Sequence, residues 1–118
     1  MKTIHEQILE IAESGNVYAK AFLANTTLVL SDNWWHHIYS YRPESQFDPS
    51  AEFKFEISER KDGGFIYWMT IWENGHPYDP PFVSGHRDLV TIARVVMDFV
   101  NQTNNILGFV GAKKWEIE

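Results

Sequence analysis

The chain has 118 residues, 44% hydrophobic and 15% aromatic against 22% charged, with a formal net charge of -6. That length suits one domain with one core over residues 1–118, and the composition lies far from the polar, highly charged regime of disordered chains. The absence of cysteine excludes disulfides, thiolate metal sites and cysteine nucleophiles, and the acidic balance disfavours attraction to phosphate backbones or anionic membranes.

In chain order, Thr3 and Glu6 have the spacing of a capping box, so a helix is expected to begin there. Ile4, Ile8, Ile11 and Ala12 recur at helical spacing; Ser14, Gly15 and Asn16 interrupt; Ala19, Phe22 and Leu23 resume. This predicts two helical pieces or one kinked helix. His5, Glu6, Glu10, Glu13 and Lys20 break the apolar run that a signal peptide or membrane span would need, which points to a cytoplasmic protein. Residues 26–30 read as a short strand or buried connector, ended by Ser31, Asp32 and Asn33. Residues 34–41 alternate as a strand, with Trp34, His36 and Ile38 on one side, although the pattern also fits a helix. Residues 42–50, with two prolines, form a loop.

The clearest feature is a hairpin. Phe53, Phe55 and Ile57 alternate with Lys54, Glu56 and Ser58, then Lys61, Asp62, Gly63 and Gly64 supply a turn into a second β run over 65–72. A turn of even length puts Ile66, Trp68, Thr70 and Trp72 beside Phe53, Phe55 and Ile57 on the core face. It leaves Tyr67, Met69 and Ile71 on the outer face; an odd turn or a bulge reverses the assignment. Residues 73–85, with Pro77, Pro80 and Pro81, predict a long irregular connection. A helix over 86–101 follows from the stripe Leu89, Ile92, Ala93, Val96, Phe99 and Val100, with Ser84 as its cap and Asp88 at its positive end. In the tail, Trp115 and Ile117 alternate with charges as in an edge strand. Together these elements predict an α+β fold: an antiparallel sheet of about four to five strands, with the N-terminal helices and a helix near the C-terminus packed on one face.

Five histidines invite a metal site, but His36 and His37 are adjacent and point to opposite faces of a strand, and no chelating histidine spacing occurs. Neither metal nor cofactor is expected. Glu73, His76, Asp79, His86 and Asp88 cluster in or beside the proline-rich connection, yet no nucleophile elbow or phosphate loop accompanies them, so no catalytic residue is assigned. Trp34, Trp35, Tyr67, Trp68 and Trp72 resemble a stacking surface without the basic groove that nucleic acid requires, so direct nucleic-acid binding is not expected.

The remaining function is protein binding, by a monomer or homodimer. Glu56, Glu59 and Glu73 would steer the chain towards a basic functional surface, and Tyr67, Met69 and Ile71 would anchor it. Of the adjacent tryptophans, a strand would make one core and leave the other near the surface, whereas a helical or sandwiched segment would make both core. In composition alone the chain is similar to small acidic inhibitors of the phage anti-defence and bacterial toxin-immunity type. Two alternatives stay open: a small enzyme or ligand-binding domain using the 73–87 loop, and a homodimeric structural subunit.

Overall fold

The computed structural model describes residues 2–43, 50–77, 83–106 and 115–116. Helix α1, Ile4–Glu13, opens with the expected capping box. Thr3 Oγ1 accepts the Glu6 N–H, and the Glu6 carboxylate accepts the Thr3 N–H, each at 3.1 Å. Ile4, Ile8 and Ala12 form its buried stripe. The chain breaks at Gly15, whose φ of +102° is the left-handed conformation that glycine adopts without penalty. Helix α2, Val17–Asn25, restarts because Asn16 Oδ1 accepts the Ala19 N–H at 3.0 Å. Two helices, rather than one kinked helix, result.

Among the described residues six antiparallel strands follow: β1 Thr27–Asn33, β2 His36–Tyr41, β3 Glu52–Glu59, β4 Phe65–Glu73, β5 His76–Pro77 and β6 Val83–Arg87. Strands β1 to β4 lie side by side in chain order, and the far side of β4 pairs with β5 at Trp72 and Glu73 and with β6 from Phe65 to Met69. Helix α3, Leu89–Ile106, completes the order. The α+β class and the one-sided packing of helices on an antiparallel sheet are as the sequence predicts.

Register decides which residues form the core. The β3–β4 turn runs from Arg60 to Gly64 and joins the pair Glu59 and Phe65. Within it the Arg60 N–H donates to the Gly64 carbonyl at 2.7 Å, Asp62 Oδ1 accepts the Gly64 N–H at 3.0 Å, and Gly63 takes φ +90°. An odd turn pairs odd residues with odd, so Phe53 faces Ile71, Phe55 faces Met69 and Ile57 faces Tyr67. Tyr67, Met69 and Ile71 are therefore core residues, 4%, 0% and 0% exposed. Their expected place on the outer face is corrected: that face carries Ile66, Trp68, Thr70 and Trp72. Burying side chains of this size contributes about 1.5–3 kcal/mol each.

Above this inner face the three helices close one continuous core. Phe22 of α2 meets Tyr39 edge-on at 4.8 Å between centroids and Phe55 at 6.2 Å, and Phe99 of α3 stands edge-on to Phe53 at 6.2 Å. Trp115, expected on an edge strand, is instead 2% exposed and packs edge-on against Tyr41 and Phe55. Asn101 clamps it from α3, accepting the Trp115 N–H at 2.9 Å and donating to its carbonyl at 3.1 Å. Ile117 lies outside the described residues.

Two further expectations are corrected. The segment after β4 is not wholly irregular: Asn74 and Gly75, with φ 52° and 78°, make a two-residue turn whose backbone twist suits a hairpin, and β5 and β6 both add to the sheet. The last helix starts later than position 86, because 83–87 pairs with 65–69 as strand β6, Ser84 included. Asp88 supplies the cap, its Oδ1 accepting the Thr91 N–H at 2.7 Å.

Candidate functional site

Strand order brings two turns to one end of the sheet: residues 34 and 35 between β1 and β2, and residues 60–64 between β3 and β4. Neighbouring backbone pins the first turn. The Ile4 N–H, one of the donors that a helix start leaves free, gives its hydrogen bond to the Trp34 carbonyl at 3.1 Å, and the Glu59 N–H gives one to the Trp35 carbonyl at 2.7 Å. The backbone is held while both indoles face outward, Trp34 38% and Trp35 44% exposed. The expectation that one of the pair is core fails because both occupy the turn, where strand alternation does not apply.

Grooves flank this ridge on both sides. One, of about 820 Å³, runs between α1 and the 60–64 turn and includes Lys2, Gln7, Ile11 and Gly63. The other, of about 570 Å³, is more apolar and includes Trp35 and Ile66. Trp34, Glu59, Arg60 and Lys61 border both. Glu59 is the last residue of β3 on the inner face, beyond the cover of the core. Its Oε2 is enclosed yet has no hydrogen-bond partner among the described residues. Arg60 Nε is engaged by Asp62 Oδ2 at 3.3 Å.

Charge on the outer sheet face is paired locally. His36 Nε2 lies 2.6 Å from Glu56 Oε1, and Nδ1 lies 3.4 Å from Asp32 Oδ1. Only the imidazolium donates from both nitrogens, so the geometry fits the charged form. Burial pushes its pKa down, but the hydrogen bonds to Glu56 and Asp32 outweigh that and hold it above the ordinary histidine value. Lys54 Nζ sits 4.0 Å above the Trp72 ring, a cation–π contact that covers part of the indole. On the inner face His37 is 1% exposed and donates Nδ1–H to the His36 carbonyl at 2.7 Å. Burial raises the Tyr39 hydroxyl pKa, and burial together with the nearby His37 lowers that of His5. The Tyr39 hydroxyl and His5 Nδ1, 2.9 Å apart, share a hydrogen bond.

Against this geometry the residues expected at a binding surface do not form one cluster. Tyr67, Met69 and Ile71 are internal. Glu56 lies mid-sheet, engaged by His36. Glu59 and Glu73 stand at opposite ends of the sheet, separated by the length of β4, roughly 25–27 Å at about 3.3 Å per residue. Only Glu59 joins the tryptophan ridge. In the proline-rich connection, His76 is exposed in β5 and Asp88 is engaged in capping. Asp79 and the His86 side chain lie outside the described residues. Among the described residues no three His, Asp or Glu stand close enough to hold a metal ion, and no helix is long and apolar enough to cross a membrane.

Comparison with protein-family models, with curated proteins and with solved structures finds no match. The signal for the site was already in the sequence: two adjacent tryptophans directly after Ser31, Asp32 and Asn33, residues that favour turns.

Proposed function

We propose that this chain is a protein-binding domain that docks through the ridge formed by Trp34 and Trp35, and that its acidic surface steers it onto a basic functional site of the partner, which it blocks sterically. The observation that carries this is the exposure of two adjacent indoles, 38% and 44%, on a turn whose backbone is pinned by Ile4 and Glu59. Large aromatics on a rigid support bury much area at little entropic cost, and tryptophan is enriched among the residues that dominate interface energetics. The net charge of -6 would accelerate encounter with a basic surface. An inhibitor of the anti-defence or toxin-immunity type would work in this way, without chemistry of its own.

The test is capture by the tagged chain from host lysate, compared with the double variant Trp34→Ala and Trp35→Ala. A stoichiometric partner bound by the wild type and lost by the folded double variant supports docking through the ridge. Equal capture by both forms, or binding that does not weaken as salt is raised, refutes it.

A second reading is favoured by the exposed edge of the sheet. Strand β1 is exposed at nearly every position, Val29 at 53%, and has no neighbour on its outer side among the described residues. Edge pairing with a second copy would bury it and give the homodimer, although register shifts after Leu28 and Leu30 blunt the edge. A light-scattering mass of one chain at all concentrations refutes the homodimer.

A further inference from the structure

The geometry points to a cation subsite at the ridge: Trp34, Trp35 and the carboxylate of Glu59 together receive a lysine ammonium or arginine guanidinium side chain of the bound partner. This rests on the docking surface proposed above and names the chemistry of its central contact.

Three independent features support it. First, the Glu59 Oε2 is enclosed and without a hydrogen-bond partner among the described residues. An enclosed carboxylate oxygen without a donor is unfavourable, and such groups in folded proteins usually signal a missing partner. Second, Glu59 borders both grooves, and the terminal torsion of a glutamate is broad, so the carboxylate can turn an oxygen to either side. Third, both indoles stand beside it with free surface, and the face of an indole attracts cations more strongly than any other side-chain ring. The groove of about 570 Å³ is large enough to admit one long side chain.

Among the described residues the nearby cations leave the Glu59 carboxylate unfilled: the His36 ring lies 5.7 Å from that of Trp35, but its two nitrogens are engaged by Glu56 and Asp32. Arg60 is held by Asp62. Lys61 is exposed on the turn, where water and salt screen its charge. Lys2 reaches Glu10 at 2.5 Å. Arg60 and Lys61 border the same grooves, and Lys2 one of them, but these side chains are exposed or engaged elsewhere, whereas the enclosed Glu59 oxygen has no donor among the described residues and a cationic occupant satisfies it.

The probes are tetramethylammonium and methylguanidinium chloride, titrated against sodium chloride at equal ionic strength. The readout is the shifts of the five indole N–H resonances, assigned with Trp34→Phe and Trp35→Phe. The expected result is a saturable shift at Trp34 and Trp35, absent from the other three and abolished in Glu59→Gln, which keeps the shape of the side chain. Shifts no larger than with sodium chloride, or unchanged binding by E59Q, would overturn the subsite. If E59Q also leaves partner capture intact while the double tryptophan variant loses it, the ridge stands and only the cation subsite fails.

Discussion

Replacing Ile71 by Ala and, separately, Ile66 by Ala makes the same chemical change on the same strand at positions of opposite parity. Ile71 is 0% exposed, opposite Phe53, in the core closed by the helices. Ile66 is half-buried on the outer face, beside the tryptophan ridge. Truncating a fully buried isoleucine loses about 0.8 kcal/mol per buried methylene-sized group and leaves a cavity, for a total of about 2–5 kcal/mol. A half-exposed isoleucine that opens no closed cavity should cost about 1 kcal/mol. Urea unfolding followed by circular dichroism measures both, with the midpoint falling at constant slope. A domain of this size is worth about 5–15 kcal/mol, so the Ile71 variant loses a large share of its stability. If Ile66→Ala costs as much as Ile71→Ala or more, the odd turn over 60–64 and the inner face built from it are wrong.

Protonated His36 joins Asp32 of β1 and Glu56 of β3. Because its folded pKa is raised, the stability it supplies is complete below the unfolded value of about 6.5 and is lost as pH rises through the higher folded value; His36→Gln should flatten the fall of the urea midpoint as pH rises above the unfolded value, and a wild-type midpoint that does not fall there refutes the pairing. Asp88 has a pKa lowered by the Thr91 N–H at the start of α3, so its contribution is present above the unfolded value of about 3.9 and is lost as pH falls through the folded value. Asp88→Ala should cost about 1 kcal/mol at neutral pH, and Asp88→Ser, which keeps a capping oxygen, should recover most of it in the same unfolding assay. Asn101→Ala removes both hydrogen bonds to the backbone of residue 115 and should cost about 1–3 kcal/mol, with a red-shifted Trp115 emission as the ring gains water. An unshifted spectrum would mean that ring packing alone holds Trp115.

What the sequence determined by itself is local. Thr3 and Glu6 cap α1 within one turn of chain, Gly15 and Asn16 end one helix and begin the next, and the alternation through Phe53, Phe55 and Ile57 specifies a strand with one buried face. The stripe from Leu89 to Val100 likewise needs only its own periodicity to make α3 amphipathic. From these the α+β class follows. What only the tertiary structure decided depends on parity and on distant partners. One residue more or less in the 60–64 turn exchanges the faces of Tyr67, Met69 and Ile71 with those of Ile66, Trp68 and Trp72, because strand side chains alternate with period two while both sets are apolar enough to be core. Strand β6 exists because the open side of β4 needs hydrogen-bond partners, a need invisible in Ser84 and Gly85 themselves. Trp115 is core because Asn101, fourteen residues away, fixes its backbone against the sheet. The candidate site shares that origin: Glu59 is far along the chain from the adjacent Trp34 and Trp35, and they meet because strand order sets two turns at the same end of one sheet.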